Sequence, residues 1–179
     1  MGGAECVGDS RVFSGASRDI DISECLEEQA MRRHEEVRIL PYSADQMFDL
    51  VADVESYPEF IPWCTNVRVI SRSPHPTGTE IRSEMVVSFK SLQESFLSQA
   101  VLSSDKSTIE IRYLERVFKF FRSQWTFRER DDGTSLVEFE TAYEFKTRVL
   151  EMLAGVFFWR ASQKIVTAFE ERARWIYGR

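Results

Sequence analysis

Few side chains in this chain of 179 residues are of the types that carry out catalysis. Its two histidines stand apart, because His34 opens a β-like stretch and His75 lies in the turn Pro74-His75-Pro76. Neither histidine belongs to a recognisable sequence motif that pairs it with a serine or cysteine nucleophile. Cys64 has no histidine nearby in sequence that would lower its pKa, so it is interpreted as a packed thiol rather than a nucleophile.

Motifs of the common enzyme classes are also absent from the sequence. It contains no Gly-x-Ser-x-Gly, no His-Glu-x-x-His and no glycine-rich phosphate loop. Glu138 and Glu140 share the polar face of a strand, where a solvated surface is a simpler interpretation than an acid/base pair. No histidine–cysteine cluster has metal-ligand spacing. We therefore predict a protein that is not an enzyme and has no metal or catalytic cofactor, with catalysis by dispersed pocket residues as a less favoured alternative.

Composition narrows the function further. The net charge of −6 argues against binding to DNA, whose phosphates require lysine and arginine, although a local basic patch stays open. Three widely spaced cysteines do not form a disulfide framework and indicate a reducing compartment. The sequence contains no apolar stretch of about 18 residues, so no membrane-spanning helix is predicted. The chain carries 14 Phe, 5 Tyr and 4 Trp, an aromatic content that needs either a thick core or a lined cavity.

The first third of the chain predicts a tail, a strand and a short helix. Residues 1–33 are acidic and poor in aromatics, which is typical of a flexible tail, so the folded domain is expected to span residues 34–179. The β-like stretch from His34 ends at Pro41, and Ser43 is the expected N-cap of an amphipathic helix. The following segment contains two prolines and is expected to be an ordered loop with a helical turn.

After this loop the pattern changes to a period of two. Side chains at 81, 83, 85, 87 and 89 and again at 137, 139, 141, 143 and 145 are mostly apolar, whereas their neighbours are mostly charged or polar. About six strands with short connections, including a hairpin turn at Asp131-Asp132-Gly133, indicate an antiparallel meander.

The chain ends in a helical pattern that would bury these apolar strand faces. From Val149 to Tyr177 there is no proline, so a helix of about 28 residues would be roughly 42 Å long. We predict an α+β fold in which a curved antiparallel sheet wraps around this helix, with a short helix after the first strand. The face expected to point inward consists of Leu150, Leu153, Phe157, Ala161, Ile165, Ala168 and Trp175.

The segment Tyr57-Pro58-Glu59-Phe60-Ile61-Pro62-Trp63-Cys64 resembles the hallmark of the coenzyme Q-binding, polyketide-cyclase-like family within the START-like superfamily. Further similar segments follow in the same order at 89–96, 118–127 and 139–146, and the resemblance extends from about residue 34 to residue 176. Family members usually carry Gly-Pro where this chain has Arg116-Val117. The resemblance implies the helix-grip (START-like) form of the predicted α+β fold.

The resemblance implies a hydrophobic tunnel between sheet and helix that holds ubiquinone, an isoprenoid quinone, as bound ligand. The protein would then be a carrier or chaperone supporting respiratory electron transport, with the respiratory membrane or quinone-biosynthesis proteins as partners. The acid-rich leader favours a bacterial cytoplasmic protein at the inner membrane; in a eukaryote the matrix side of the mitochondrial inner membrane is implied. The same resemblance covers bacterial ribosome-association toxins, so binding to the large ribosomal subunit is the alternative, followed by a polyketide-cyclase-like enzyme.

The tunnel is expected to be lined by inward side chains of the strands and the long helix and by the aromatic loop at one end. Periodicity alone also allows these side chains to form a solid core. The predicted tunnel residues are Phe60, Ile61, Trp63, Met85, Val87, Phe89, Phe96, Tyr113, Phe118, Trp125, Phe127, Phe139, Tyr143, Leu153, Phe157 and Ala161.

A second apolar stripe is predicted on the opposite side of the long helix. At about 100° per residue, Met152, Trp159 and Val166 recur every seven positions, and Val156 lies beside them. A core helix needs only one apolar stripe, so we predict that this one contacts a membrane, a partner or a second copy in a homodimer. Scattered surface hydrophobicity is the alternative interpretation.

Overall fold

The computed structural model describes residues 31–89, 92–114 and 117–178. Residues 1–30 of the predicted tail lie outside this part of the chain, and the first strand begins at Arg32, two residues before the predicted start of the domain. The elements are β1 (Arg32–Leu40), α1 (Ala44–Ala52), a short 3₁₀ helix (Val54–Ser56), α2 (Tyr57–Phe60), β2 (Cys64–His75), β3 (Gly78–Phe89), β4 (Leu92–Ser103), β5 (Thr108–Tyr113), β6 (Phe118–Glu129), β7 (Ser135–Phe145) and α3 (Arg148–Tyr177).

The seven strands form one antiparallel sheet in the order β1-β7-β6-β5-β4-β3-β2. Strands β2 to β7 are the predicted meander, in which each strand pairs with the next. The first strand pairs with the last, placing Arg32 opposite Tyr143 and Leu40 opposite Ser135. Because β1 lies beyond β7, the two edges of the sheet are β1 and β2. This arrangement confirms the predicted α+β fold.

Two turns of the meander depend on glycine. The hairpin predicted at Asp131-Asp132-Gly133 is present, and Gly133 has a left-handed φ of 74° that costs glycine little. At the β2–β3 turn, a Cβ on Gly78 would lie 1.9 Å from the carbonyl oxygen of Leu102. No side chain fits there without moving the neighbouring strand.

Helix α1 is fixed by a capping box and then packs on the end of α3. The Ser43 hydroxyl accepts a hydrogen bond from the Gln46 N–H at 3.2 Å, and the Gln46 side chain accepts one from the Ser43 N–H at 3.0 Å. Met47 and Val51 of its apolar face are each 1% exposed. The Tyr177 hydroxyl donates to the Gln46 carbonyl at 3.1 Å, so α1 covers the C-terminal part of α3.

The predicted register of the sheet is confirmed. Phe139 is buried on the concave face, whereas Glu138 is half-buried and Glu140 exposed in the same strand. One irregularity alters the alternation, because a register shift lies between Phe118 and Phe120. This bulge buries Phe118 and leaves Phe120 exposed.

The second stripe predicted on the long helix is only partly correct. Met152 and Val156 are exposed, as predicted, but Val166 is 2% exposed and belongs to the buried core. Trp159 is half-buried, with its ring edge-on to His34 of β1 at 5.9 Å. The prediction failed at Trp159 because β1 packs against the helix there, and at Val166 because this residue joins the core cluster that also contains Leu40 of β1 and Met47 of α1.

Trp175 was expected to face inward and does not. It is 75% exposed, and the Arg172 guanidinium lies 4.6 Å from its ring centroid. The buried positions at this end of α3 are Phe169 and Ala173. Trp175 lies two residues beyond Ala173, which is roughly half a helical turn and directs its side chain away from the core.

Candidate functional site

A cavity of about 130 Å³ lies between the concave face of the sheet and α3. Its size is close to that of an engineered apolar cavity of about 150 Å³ that binds benzene, so it accommodates a group about as large as one ring. At about 24 cal/mol per Å³, an apolar space of this size costs a protein roughly 3 kcal/mol when nothing fills it. An apolar ligand would recover much of that free energy.

The cavity brings together most of the side chains predicted to line a tunnel. Predicted residues that line it are Ile61, Trp63, Met85, Val87, Phe96, Tyr113, Trp125, Phe139, Tyr143, Phe157 and Ala161. Three others, Phe60, Phe118 and Phe127, pack outside its lining. The side chains of Phe89 and Leu153 lie outside the part of the structure that is described.

The three predicted aromatics outside the lining are held by other contacts. Phe60 packs on Phe169 at 5.1 Å between ring centroids, and the Arg172 guanidinium lies 5.4 Å above its ring. Phe118 packs on Phe145 at 5.0 Å, and Phe127 packs on Phe48 of α1 at 5.7 Å. An inward direction was therefore correct for Phe118 and Phe127, but neighbouring rings fill the space around them.

Twelve described lining residues were not among the predicted tunnel residues, although one of them, Ile165, was expected on the inward face of the long helix. Some were signalled by the alternation itself, since Ser98 follows Phe96 by two positions and Ser123 precedes Trp125 by two, but their polar type was discounted. Phe158 was missed because it directly follows Phe157 on the helix, where one predicted inward stripe was too narrow. The missed residues are Val54, Tyr57, Ser98, Ala100, Ile111, Phe121, Ser123, Thr141, Phe158, Ser162, Ile165 and Phe169.

The aromatic loop closes one end of the cavity through α2. The Tyr57 hydroxyl donates a hydrogen bond of 2.6 Å to the Val51 carbonyl, and its ring packs edge-on against Phe169 of α3 at 5.3 Å. Glu59 also forms an ion pair with Arg172 of α3. These contacts fix the loop to the helix and place Ile61 and Trp63 against the cavity.

A band of hydroxyl groups interrupts the apolar lining. Ser123 donates to the Glu140 carbonyl at 3.2 Å, Thr141 to the Arg122 carbonyl at 3.3 Å and Ser162 to the Trp159 carbonyl at 2.8 Å. Their oxygens keep lone pairs that can accept further hydrogen bonds. The buried hydroxyl of Tyr143 makes no hydrogen bond within 3.5 Å among the described residues, and the hydroxyl of Ser162 is the polar side chain that interacts with it. The lining therefore suits an apolar ligand that carries a few oxygen atoms.

No ionised group lines the cavity at neutral pH. None of its described lining residues is Asp, Glu, Lys, Arg or His. Burial raises the pKa of Tyr113 to about 12, and the same effect raises the pKa of Tyr57 and of Tyr143. Cys64 lies outside the lining, and burial raises its pKa to about 11, in agreement with a packed thiol. The cavity is thus neutral and lacks a group that exchanges a proton readily near pH 7.

Other kinds of site find no support in the described part of the chain. No three His, Cys, Asp or Glu side chains come together there as a metal site would require. Within the same residues, no helix has the length and apolar character needed to cross a bilayer.

Residues 40–170 match the family described as polyketide cyclase / dehydrase and lipid transport. The match covers well over half of the chain, and the chain belongs to this family. The fold and the apolar cavity described above agree with that assignment, which also confirms the resemblance found in the sequence.

Two kinds of relative are identical to this chain at about a third of the aligned positions. The ribosome association toxin RatA of Rickettsia prowazekii is 33% identical over 147 residues, covering 80% of this chain and 97% of that protein. The mitochondrial coenzyme Q-binding protein COQ10 homolog B of Xenopus laevis is 32% identical over 149 residues, covering 82% of this chain. The matched region is only 59% of the Xenopus protein.

Solved structures confirm the START-like helix-grip fold. The Zhui aromatase/cyclase of a Streptomyces species superposes with a TM-score of 0.69 at 15% identity, covering 83% of this chain and 98% of that one. A START superfamily protein of Mycobacterium smegmatis gives a TM-score of 0.62 at 16% identity, covering 78% of this chain and 95% of that one. At such low identity these likenesses concern the fold alone.

Proposed function

We propose that the protein binds an isoprenoid quinone, ubiquinone, in the cavity between sheet and α3 and acts as its carrier or chaperone in support of respiratory electron transport. The observation that carries this proposal is the lining itself: it is neutral, mostly apolar, rich in aromatic rings, and crossed by a band of hydroxyl groups. A quinone ring is a neutral ring with oxygen substituents, so it matches both the apolar and the polar part of the lining.

The cavity volume limits how the ligand fits. About 130 Å³ holds one ring-sized group, so the ring occupies the cavity and the isoprenoid tail extends beyond it. Each tail methylene that is shielded from water contributes roughly 0.8 kcal/mol. Half-buried lining residues such as Trp63 and Phe158 are the side chains that must move to accommodate the first part of the tail.

The similarity to a coenzyme Q-binding protein over 82% of this chain supports the proposal. Carrying a quinone also requires an encounter with the membrane, so we propose peripheral association with the respiratory membrane and its quinone-using or quinone-synthesising proteins. A bacterial inner membrane or the matrix side of the mitochondrial inner membrane would serve equally.

A second candidate function is association with the large ribosomal subunit. The observation that favours it is the similarity to a ribosome association toxin over 97% of that protein's length. Catalysis like that of a cyclase is less favoured, because no lining group has a pKa suited to proton transfer near pH 7.

The experiment that tests the proposal is organic extraction of the purified protein followed by mass spectrometry. Ubiquinone in near-stoichiometric amount is the expected result, and an extract with no quinone after growth in quinone-producing cells would contradict it. The Ala161→Trp variant should lose the ligand because its indole enters the cavity. Ala142→Trp is the matched control, since Ala142 lies on β7 outside the lining.

Ribosome co-sedimentation of the same preparations separates the second candidate. Sedimentation with the large subunit by protein that carries no quinone would favour the ribosome-directed function. Turnover of a polyketide substrate by protein without quinone would instead favour the enzyme.

A further inference from the structure

Most of the lysine and arginine side chains that the structure describes are paired with acids, with one localised exception. Among the described residues, every lysine or arginine forms an ion pair except four. These four are Lys146, Arg148, Arg160 and Lys164, and all are exposed. They lie just before α3 or between its first residue and its middle, so a local positive patch exists on a chain whose net charge is −6.

Three exposed apolar side chains lie among these cations. Val149 is 60% exposed, Met152 75% and Val156 62%. Their spacing of three and four residues places them on one side of α3, and we call them the α3 ridge. On the opposite side of the same turns, Ala154 and Phe157 are buried. The N-terminal part of α3 is therefore apolar on two sides, of which the sheet covers only one.

We infer that the α3 ridge is a docking surface for an anionic lipid bilayer. Val149, Met152 and Val156 would enter the boundary between headgroups and acyl chains, as the apolar face of an interfacial helix does. The four unpaired cations would contact lipid phosphates, and each basic residue near an anionic surface raises the affinity about fivefold. The inference concerns a different surface from the cavity and does not depend on which ligand the cavity holds.

The combination of charge and apolar surface favours a membrane over other occupants. RNA phosphates would pair with the cations but would leave the apolar ridge in contact with water. A second copy packed through a two-fold axis would place the four cations of both copies in one interface, where their like charges repel. A bilayer with anionic lipids satisfies both parts of the surface at once.

The position of the ridge also connects it with the cavity. Val156 of the ridge directly precedes Phe157 and Phe158, which line the cavity from the other side of the helix. A protein docked through the ridge thus holds its cavity within the width of one helix from the lipid surface, which shortens the path of an apolar ligand between them.

Vesicle flotation with the full chain tests this inference. Vesicles of phosphatidylcholine are compared with vesicles containing phosphatidylglycerol, both prepared without quinone. We expect binding to the anionic vesicles only, with weaker binding at high salt because exposed charges are screened. Arg160→Gln with Lys164→Gln should weaken binding roughly twenty-five-fold, from about fivefold for each cation. Met152→Ser with Val156→Ser should weaken it as well.

Two control variants carry the same types of substitution elsewhere on the surface, so they test whether the position of the substitution decides the loss of binding. Arg68→Gln with Arg128→Gln removes the same charge from two cations that are paired on the sheet, and Val37→Ser removes an apolar side chain that is 60% exposed on β1. Both controls should bind like wild type. Equal loss in controls and ridge variants, or no binding of wild type to anionic vesicles, would overturn the inference.

Binding of the same variants to large ribosomal subunits tests the alternative that this surface binds RNA instead of a bilayer. If the cation variant loses binding to large ribosomal subunits while flotation is unchanged, the surface binds RNA and the membrane assignment is wrong. Quinone content is measured on the same samples, so a failure of docking is distinguishable from a failure of the proposed quinone binding. Unchanged melting temperatures of all variants establish that only the surface has been altered.

Discussion

Ala161 is the residue at which ligand binding and stability separate most clearly. It faces the cavity from α3 and is small, so a larger side chain there extends into the cavity rather than into packed atoms. Ala161→Trp should abolish quinone binding while lowering the free energy of unfolding by less than the roughly 1–3 kcal/mol typical of overpacking. Binding is measured by fluorescence titration with a short-chain ubiquinone and stability by urea denaturation.

The matched variant Ala142→Trp should bind the quinone as wild type does. Unchanged binding by Ala161→Trp would show that this position is not in the ligand path. A drop in unfolding free energy well above 3 kcal/mol would instead show that the space around Ala161 is tightly packed.

Cys64 gives the protein a predictable alkaline sensitivity. Burial raises its pKa to about 11 from the usual 9.0, so between these values the unfolded chain loses a proton that the folded chain keeps. The folded state then binds more protons than the unfolded state, and stability must fall as the pH rises through this window. Tyr113, whose pKa is raised to about 12, continues the same trend at higher pH.

Melting temperatures recorded between pH 8 and pH 11 check this expectation. Wild type should lose stability over the window, and Cys64→Ala should lose less between the two ends, whatever its stability at pH 8. The same slope in both proteins would mean that Cys64 does not contribute to it.

Whether a side chain points inward was predictable from the sequence, but whether it lines a cavity was not. Alternation correctly directed Trp125 and Phe127 to the same face. Only Trp125 lines the cavity, because Phe48 of α1 packs against Phe127. Such contacts join residues far apart in sequence, and periodicity carries no information about the volume between them.

Two valines of the helix α3 test its orientation, since Val166 is buried in the core and Val156 faces outward. Val166→Ala should cost roughly 2 kcal/mol of unfolding free energy, because it removes two buried methyl groups and leaves a cavity. Val156→Ala should stay within about 0.5 kcal/mol, since Val156 is 62% exposed. Chemical denaturation of the two variants compares the same substitution on the same helix, and similar costs would contradict the orientation described here.

The long helix itself was predicted closely, because proline-free sequence and apolar spacing are local signals. The elements that pack against this helix were not predicted, and this explains the error at Val166. The hydrophobic pattern shows how many apolar stripes a helix has, but α1 and β1 reach α3 from positions that only the tertiary fold determines. The bulge beside Phe118 was not predicted, although the sequence contains a sign of it: Phe118 and Trp125 were both expected to face inward, and strict alternation places residues seven positions apart on opposite faces.

At the scale of the whole molecule, β1 should be essential to the domain and the residues before it should not. A chain shortened to residues 31–179 should keep its melting temperature, because β1 begins at Arg32. A chain shortened to residues 41–179 should fail to fold cooperatively, since it loses the pairing with β7 and the buried Leu40. Calorimetry of the two shortened chains decides this, and a stable second chain would refute it.

The overall architecture could be predicted because several independent signals agreed. The period of two, the proline-free C-terminal pattern and the segment from Tyr57 to Cys64 all indicated a sheet around one helix. The position of β1 beyond β7 and the volume of the cavity could not be derived in this way. Both depend on contacts between the first and last parts of the chain.

The pairing of β1 with β7 also has a consequence in time. A ribosome completes β1 first, but the strand that pairs with it and the helix that covers the sheet are synthesised last. Until β7 emerges β1 has no neighbouring strand, and until α3 emerges the concave apolar face lacks the helix that covers it. Contacts between such distant parts of a chain slow folding, so the newly made protein passes through a period in which its interior is open to chaperones, to other chains and to lipid.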